Sequence, residues 1–249
     1  MVTLEIDIGN SRLKWRRFAD DCKKIISRGV NLDINSFLAE QAKHERPSNV
    51  RLSNVADPEI SSKIADWTRV NWNMQPISAI VCAECSGVKI QYRELSRLGV
   101  DRWLAMLAAY NKSNGPCVII DSGTAFTLDV VNHRGLHLGG FILPGLSLMR
   151  ASLESETRIS LENQVSEPSL KLGNSTQEAV LNGGVASLVA LVEKEIEKQR
   201  KKGCKPSVFI AGGDAIVLGN LLTYPDCTIE EDLVLDGLSL GCQGMSVSD

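Results

Sequence analysis

The chain has 249 residues, of which 43% are hydrophobic and 23% are charged, a composition that excludes a disordered or collagen-like chain. Its 27 Lys and Arg stand against 30 Asp and Glu, so the net charge of −3 argues against nucleic acid as the main partner. The sequence has no apolar run near the roughly 18–20 residues that cross a bilayer, and its first residues lack the basic and apolar regions of a signal peptide. Together with an odd number of cysteines, seven, these features predict a cytoplasmic protein with no membrane partner.

In the first part of the chain, apolar runs separated by tight polar turns predict a group of strands followed by alternating helices and strands. Asp33 and Asp57 are suited to cap helices, and Pro58 fits the first position of the second one. The predicted elements are strands over 3–8, 12–18 and 25–31, a helix over about 34–45, a strand over 50–55, a helix from 58, a strand over 77–83 and a helix over 103–110.

The second part of the chain repeats this order. Ser175-Thr176-Gln177-Glu178 is a capping box that opens a long helix, and the basic run 198–202 is typical of a charged helix end. The predicted elements are strands over 117–122, 125–131 and 137–143, a helix after Pro144, a polar stretch over about 155–173, the helix from Ser175, a strand over 208–211 and a helix after Gly212-Gly213-Asp214.

An internal similarity accounts for the repeated order. Leu4–Ser11 resembles Val118–Ala125, because in both segments an apolar strand ends in Asp-x-Gly and a second strand follows at once. We therefore expect two homologous halves, residues 1–115 and 116–249. Each half has a group of strands followed by alternating helices and strands. This order, occurring twice, is typical of a duplicated ribonuclease-H-like α/β fold. Actin, Hsp70 and the sugar kinases have this fold and hold ATP in a cleft between the halves, an analogy that does not by itself establish a function.

The repeated Asp-x-Gly segments have the chemistry of a phosphate cradle. The glycine permits a positive φ and close backbone approach, so the hairpin turn directs several N–H groups at one point. Asp7 would lie near metal-bound phosphates, and Lys14 would add a positive charge where phosphoryl oxygens gain negative charge. The other residues of the first turn are Gly9, Asn10, Ser11 and Arg12. The alternative is a plain β-turn, which uses the same residue types, but two copies at equivalent places favour phosphate binding.

A second cluster, Leu98–Trp103, contains the candidate base Asp101. An aspartate before an apolar helix is commonly an N-cap. That role is compatible with catalysis, because a helix N-terminus keeps a carboxylate ionised and able to accept a proton. Arg102 could bind a carboxylate substrate or be an ordinary surface arginine, and Tyr92 could be a ligand contact or a packing residue. The residues alone leave these alternatives open.

Four segments occur in a recognisable order: Asp7–Trp15, Gly99–Trp103, Asp121–Ala125 and Gly139–Gly145. They resemble the ordered motifs of type III pantothenate kinases, a bacterial family that is also related to the Bvg accessory factor. The resemblance extends over nearly the whole chain, and the chain length fits. It implies transfer of the γ-phosphate of ATP to the primary hydroxyl of pantothenate, which gives 4′-phosphopantothenate in the first step of coenzyme A synthesis.

The same resemblance implies roles for particular residues. Asp101 takes the proton of the pantothenate hydroxyl, and Thr176 contacts pantothenate from the neighbouring subunit of a homodimer. Asp121 is a ligand of the monovalent cation, K⁺ or NH₄⁺, that such kinases require beside ATP and Mg²⁺. The remaining pantothenate contacts are Tyr92, Gly99, Val100 and Arg102. The ATP contacts are Asp7, Gly9, Asn10, Ser11, Arg12, Lys14 and Thr124, with Gly212-Gly213-Asp214 at the place of the adenosine-side glycine motif.

Two departures and two alternatives accompany this resemblance. Ser11 stands where many members carry threonine, and Ser122 where an apolar residue is usual, but both are small and leave the backbone chemistry intact. One alternative is a small-metabolite kinase or a phosphatase of the same superfamily with another substrate, against which the Gly99–Trp103 cluster counts. The other is a non-enzymatic nucleotide-binding regulator on the same fold, against which the presence of Asp101 and Lys14 counts.

Overall fold

The computed structural model describes residues 1–19, 24–161 and 167–242. The chain forms two compact units, the first made of Met1–Ala108 with the segment from Asp232 onward, and the second of Ala109–Glu231. In the described part of the chain, no helix is long and apolar enough to cross a membrane. Residues 162–166 of the predicted polar stretch, and the predicted second half beyond residue 242, lie outside the described residues.

The first unit is built on a mixed sheet flanked by helices. Its elements, in chain order, are β1 (Val2–Ile8), β2 (Leu13–Ala19), β3 (Lys24–Asn31), α1 (Ile34–Gln41), β4 (Asn49–Asn54), α2 (Pro58–Trp72), β5 (Ile77–Ser78), the hairpin β6 (Glu84–Cys85) and β7 (Val88–Lys89), a 3₁₀ turn (Leu95–Arg97) and α3 (Val100–Ser113). Over the described residues the strand order is β3-β2-β1-β4-β5. β1 and β2, and β2 and β3, are antiparallel, whereas β4 runs parallel to β1 and β5 parallel to β4.

The second unit repeats this architecture. Its elements are β8 (Cys117–Ser122), β9 (Ala125–Val131), β10 (His137–Pro144), α4 (Leu146–Glu156), α5 (Thr176–Lys201), β11 (Ser207–Ala211), α6 (Ala215–Leu221) and β12 (Cys227–Ile229). The chain then returns to the first unit as α7 (Leu233–Gly241). Within the described residues the strand order is β10-β9-β8-β11-β12, with the same alternation of antiparallel and parallel pairs as in the first unit. The predicted fold class, a duplicated ribonuclease-H-like α/β fold, is confirmed.

Helix starts follow the predicted caps. The Asp57 side chain accepts a hydrogen bond from the Glu59 N–H, and the Ser175 side chain accepts one from the Glu178 N–H at 3.1 Å. In a capping box, the Glu178 carboxylate is expected to accept a hydrogen bond from the N–H of the cap residue, Ser175. Here it accepts one from the N–H of Asn174 at 2.8 Å instead. The carboxylate therefore holds the residue before the cap, which fixes the direction in which the chain enters α5.

Some elements differ from the prediction. The strand expected over 77–83 ends at Ser78, and the helix expected to end near residue 45 ends at Gln41. The sequence patterns did not reveal the β6–β7 hairpin, β12 or α7. The hairpin strands are only two residues long, and the turn between them uses positive φ values at Ser86 and Gly87, so periodicity carried no signal there.

The alternation of side chains along β1 divides its residues between the two faces of the sheet. Leu4, Ile6 and Ile8 are buried on one face and pack in a core with α1 and α2, which contribute Phe37 and Ile64. Thr3, Glu5 and Asp7 lie on the opposite face. This face therefore carries carboxylates into the interior of the unit, and they need partners there.

Arg16 and Arg51 provide partners for Glu5, which has no exposed surface. Arg16 lies across from Glu5 on β2 and donates to it at 2.7–2.8 Å, and Arg51 on β4 pairs with the other carboxylate oxygen at 3.4 Å. Arg16 also reaches Asp236 of α7 at 2.5 Å and Asp232 at 3.6 Å. Burial raises the pKa of Glu5 above its ordinary value of 4.5, although both arginines act to lower it.

The second unit has its own core on one face of its sheet. Val118 and Ile120 of β8 and Phe126 and Leu128 of β9 are buried against α5. The helix contributes an apolar stripe at helical spacing, which includes Val185, Leu188, Val192 and Ile196. This packing fixes β8, whose end carries Asp121.

Replacing Arg16 with methionine should lower the free energy of unfolding by about 3–5 kcal/mol, because it removes one of the two arginines that pair with the buried Glu5 carboxylate. Without Arg16 the pKa of Glu5 rises further, so the folded variant holds a proton more tightly than the unfolded chain. The stability lost by Arg16→Met should therefore grow as the pH rises from about 4.5 towards neutrality. Urea unfolding at a series of pH values measures this.

The matched control is Arg69→Met. Arg69 pairs with Asp66 at 2.6 Å, but the two side chains are 60% and 68% exposed. Its loss should change stability by less than about 1 kcal/mol at every pH. A stability loss in Arg16→Met that stays constant across this pH range would show that Glu5 does not respond to Arg16.

Candidate active site

The first Asp-x-Gly segment forms a tight hairpin at the end of β1. The Gly9 N–H donates to the Arg12 carbonyl at 3.0 Å, and Asn10 and Ser11 between them are exposed. Lys14 on β2 lies directly across from Asp7. The structure thus brings together the predicted phosphate residues of the first unit, with a carboxylate and an ammonium group on one face beside an exposed turn.

Ser53 is a site residue that the sequence patterns did not reveal. It is fully buried at the end of β4, pairs in register with Asp7, and donates from its hydroxyl to Asp7 Oδ1 at 3.0 Å. The available signal was positional: parallel strands end at the same edge of a sheet, so a serine at the end of β4 is brought beside an aspartate at the end of β1. Ser53 fixes the orientation of the Asp7 carboxylate.

Asp101 lies inside helix α3 and not at its N-cap. The helix begins at Val100, and the Gly99 carbonyl accepts the first helical bond from the Trp103 N–H at 3.1 Å. Asp101 Oδ1 accepts from the Arg102 N–H at 2.7 Å, one of the N–H groups that a helix start leaves without a helical partner. The carboxylate is half-buried at the positive end of α3, where the helix dipole favours its ionised form.

Arg102 is not the surface arginine that its residue type would predict. It is 7% exposed, donates from Nη1 to the Tyr92 hydroxyl at 3.0 Å, and has its guanidinium carbon 5.9 Å from the centre of the Tyr92 ring. Gly99 completes the cluster, because a Cβ there would lie 2.5 Å from Asp101 Oδ1. The structure therefore brings together Tyr92, Gly99, Asp101 and Arg102. This cluster contains the carboxylate of Asp101 and the buried guanidinium group of Arg102.

The second Asp-x-Gly segment is enclosed by glycine backbone. The Gly123 N–H donates to the Ala125 carbonyl at 3.0 Å, and the Gly145 N–H donates to the Thr124 carbonyl at 2.9 Å. A Cβ on Gly145 would lie 2.0 Å from the Gly123 carbonyl oxygen, so only glycine fits at the start of α4. This contact explains the glycine that ends the Gly139–Gly145 segment. It holds the hairpin that carries the exposed Thr124.

The glycine turn after β11 packs against the same hairpin. Gly212 has φ +92°, and a Cβ there would lie 2.2 Å from the Ser122 carbonyl oxygen and 2.6 Å from Asp121 Oδ1. The Asp214 N–H donates to that carbonyl at 3.0 Å. Asp121, Gly212 and Asp214 therefore form one cluster in the second unit.

Thr176 lies on the long helix of the second unit. It is the exposed first residue of α5 and borders a groove of about 1040 Å³ between α4 and α5. The groove is lined mainly by apolar side chains, among them Leu146, Leu153, Val180 and Leu181. Asp214, whose N–H donates to the Ser122 carbonyl of the Asp121 hairpin, lines the same groove.

The described residues include no cluster of three or more His, Cys, Asp or Glu side chains that could hold a metal ion by themselves. A Mg²⁺ ion in a phosphate-binding site does not need such a cluster. Mg²⁺ is usually held there by one or two carboxylates together with substrate phosphates and water. Asp7 is such a carboxylate, beside the exposed turn of the first hairpin.

Comparison with solved structures shows which proteins share the fold. The chain superposes on a Baf family protein of Campylobacter jejuni, described as a proposed transcriptional activator, with a TM-score of 0.60, 21% identity and 95% coverage of both chains. It also superposes on the activator of 2-hydroxyisocaproyl-CoA dehydratase from Clostridium difficile, with a TM-score of 0.52, 14% identity and coverage of 97% and 94%. These likenesses agree with the duplicated α/β fold, in which both sheets have the same strand order over the described residues.

Sequence comparison identifies the family. A sequence model of the type III pantothenate kinases matches residues 3–198. The type III pantothenate kinase of Pseudomonas savastanoi pv. phaseolicola is 36% identical over 246 residues, covering 96% of this chain and 98% of the relative. That of Azotobacter vinelandii is 34% identical over 249 residues, with the same coverage. The chain belongs to the type III pantothenate kinase family.

The close contacts of Gly212 lead to a stability prediction. Gly212→Ala should lower the free energy of unfolding by about 3–5 kcal/mol, since alanine is strained at positive φ and its Cβ would collide with the Ser122 carbonyl. Gly203 is the matched control, because it has φ +79° and a Cβ there would meet nothing within 4 Å. Gly203→Ala should lose only about 1–2 kcal/mol, from the backbone strain alone. Equal losses in denaturant unfolding would mean that the contact with Ser122 does not constrain the turn.

Proposed function

We propose that this chain is a pantothenate kinase, which transfers the γ-phosphate of ATP to the primary hydroxyl of pantothenate and gives 4′-phosphopantothenate and ADP. The observation that carries the proposal is the match of nearly the whole chain to curated type III pantothenate kinases. The geometry of the first unit supports it, since a helix-start carboxylate and a buried arginine lie side by side. Pantothenate carries both a hydroxyl and a carboxylate.

Asp101 acts as the general base in this proposal. Its carboxylate lies in the first turn of α3 and accepts a hydrogen bond from the Arg102 N–H, two features that favour the ionised form. An ionised carboxylate orients the substrate hydroxyl and accepts its proton as the bond to phosphorus forms. Arg102 binds the substrate carboxylate, since a guanidinium group makes paired, charge-assisted hydrogen bonds to carboxylates. The Tyr92 hydroxyl accepts a hydrogen bond from the guanidinium. In this proposal Tyr92, Gly99 and Val100 are the remaining pantothenate contacts.

ATP is held through its phosphates by turns and point charges. The first unit contributes the exposed hairpin and its charged flanks. The residues concerned are Asp7, Gly9, Asn10, Ser11, Arg12 and Lys14. Mg²⁺, when bound with ATP, neutralises phosphate charge. Thr124 in the second unit contacts ATP, and Asp121 is a ligand of the monovalent cation, K⁺ or NH₄⁺. The Gly212–Asp214 turn lies beside this hairpin and contacts the adenosine part.

A coupled assay tests the function directly. The purified protein with ATP, Mg²⁺ and K⁺ should form ADP when given pantothenate and not when given glycerol, acetate or hexoses. Turnover of a sugar with none of pantothenate would assign it to another branch of the superfamily. Replacing K⁺ by Na⁺ at matched ionic strength should lower the rate, and equal rates in the two salts would contradict the cation role of Asp121.

The base is tested by Asp101→Asn. The variant should lose about 10²–10⁴-fold in kcat, the usual contribution of a positioned base. The amide oxygen can still accept from the Arg102 N–H, so stability should change by no more than about 1 kcal/mol, the loss of the charge–dipole interaction. Steady-state kinetics and thermal unfolding, measured on one preparation, separate the two effects. A marked loss of stability with normal kcat in the folded fraction would make Asp101 a structural residue only.

We also propose that the working unit is a homodimer in which Thr176 reaches the pantothenate site of the partner. Thr176 borders the apolar groove, and none of the residues of α4 beside that groove is buried. Leu148 and Leu153 of this helix are 45% and 36% exposed. An apolar face of this kind on a soluble protein commonly marks an interface with another chain.

Mixing two inactive variants tests the dimer. Asp101→Asn and Thr176→Ala, assayed below the KM for pantothenate, should each be poorly active alone. After co-refolding, a mixed dimer carries both changes in one site and neither in the other, so about a quarter of the wild-type activity should return. Sedimentation of a fully active monomer, or mixtures no more active than their components, would remove the proposal.

A further inference from the structure

A cavity separate from the α4–α5 groove lies between the edge strand β10 and the C-terminal half of α5. Its volume is about 450 Å³, and pockets that take small molecules usually measure roughly 300–1,000 Å³. Leu128, Val130 and Phe141 give the cavity apolar walls, and two lysines of the basic run 198–202 border it. None of the residues to which the proposed reaction gives a role lines this cavity, so that reaction does not explain its chemistry.

A bulge in β10 opens the space beside α5. The register between β9 and β10 shifts between His137 and Gly139, and Gly139, which lines the cavity, has φ +115°. Glycine adopts such a φ readily, whereas other residues are strained there. A Cβ on Gly139 would meet nothing within 4 Å, so the strand does not pack closely against the helix at this point. A bulge bends an edge strand, and this one leaves room between the strand and α5.

The first unit fills the equivalent place with a long side chain of its own. Leu4 and Val118 correspond to each other in the internal repeat. Arg17 lies across from the first of them, and Val130 lies across from the second. Arg17 is 4% exposed and donates to the buried Gln41 at 3.4 Å, so its guanidinium group occupies the interior of the first unit. Val130 is much shorter than an arginine, and this difference contributes to the open volume in the second unit.

The polar side chains of the lining carry a net positive charge. Glu195 is the one carboxylate among the described residues that line the cavity, and it is 7% exposed. It accepts hydrogen bonds from Gln199 Nε2 at 2.5 Å and from Lys198 Nζ at 3.1 Å, so its charge is already compensated. Lys202 adds a second ammonium group, and no carboxylate of the described residues pairs with it. The lining therefore favours an anion.

We propose that this cavity binds a small organic carboxylate with an aliphatic or aromatic body. The ammonium group of Lys202 pairs with the carboxylate, and Val130 and Phe141 cover the body. An inorganic anion such as phosphate would leave these apolar walls uncovered, and a neutral molecule would leave the positive charge unused. The site does not depend on the proposed function, because neither ATP nor pantothenate takes part in it.

Titration with hexanoate, followed through the backbone amide resonances of Gly139 and Gly140, tests the proposal. Both residues line the cavity, and both resonances should shift to saturation. 1-Hexanol has a similar body without the charge and should bind about 3-fold more weakly, the usual effect of an exposed ion pair. Acetate has the charge with almost no body and should bind more than about 10-fold more weakly, because it buries far fewer CH₂ groups.

Three variants locate the binding site. Lys202→Gln should weaken hexanoate by about 3-fold and leave 1-hexanol unchanged, because only the ion pair is lost. Lys201→Gln is the matched control, since Lys201 is 73% exposed, pairs with Glu197 at 2.7 Å and does not line the cavity. It should keep the wild-type affinity for both molecules. Val130→Met should fill part of the cavity and weaken both molecules together, and thermal unfolding shows whether each variant keeps the fold.

Several results would overturn the proposal. Shifts at Gly139 and Gly140 that do not saturate, or equal affinities for hexanoate and 1-hexanol, would show that the cavity does not select an organic anion. Equal effects of Lys202→Gln and Lys201→Gln would mean that the basic run is only a charged helix end. Loss of the hexanoate shifts in saturating pantothenate would assign the carboxylate to the Arg102 cluster. Shifts that persist in pantothenate, with the expected order of affinities, would support a separate site whether or not the protein phosphorylates pantothenate.

Discussion

Arg16 contacts the carboxylates of Glu5, Asp232 and Asp236, and the geometry of the first unit follows from that contact. Glu5 faces the interior on the same side of β1 as Asp7, two residues further along. A slip of one residue between β1 and β2 would move both carboxylates to the other face, where Leu4, Ile6 and Ile8 form the core. The ion pair therefore fixes the register that directs Asp7 to the turn and sets Lys14 across from it.

The two Asp-x-Gly hairpins are supported in different ways, although their sheets have the same strand order. In the first unit, the register partner of Asp7 is Ser53, whose hydroxyl binds the carboxylate directly. In the second unit, the partner of Asp121 on the parallel strand β11 is Ala211, which has no hydroxyl, and the backbone of Gly212 packs against the carboxylate. A hydroxyl orients a carboxylate, whereas a glycine leaves room beside it. The difference agrees with our proposal that Asp7 faces metal-bound phosphates and Asp121 a monovalent cation.

The sequence was sufficient to predict what depends on local pattern. Strand periodicity, the duplicated Asp-x-Gly and the caps at Asp57 and Ser175 predicted the order of elements and the fold class. Contacts between distant residues could not be predicted. The return of α7 to the first unit depends on Arg16 meeting Asp236, which is 220 positions away, and the role of Ser53 depends on its register with Asp7. Such contacts exist only after strands pair, and a single sequence has no signal for them.

Helix α7 also explains the composition of the Gly99–Trp103 segment. Gly99 leaves space for the Asp101 carboxylate, and Trp103 is fully buried with its ring against the backbone of Gly241. One turn earlier in α7, a Cβ on Gly237 would lie 2.2 Å from the Leu104 carbonyl oxygen, so α3 and α7 touch along their backbones. Arg16 fixes α7 to the strand that carries Asp7, and α7 in turn packs against the first turns of α3. Asp7 and Asp101, the two carboxylates to which we assign the most direct roles in our proposal, therefore share one support. A change in that support should therefore disturb both carboxylates together.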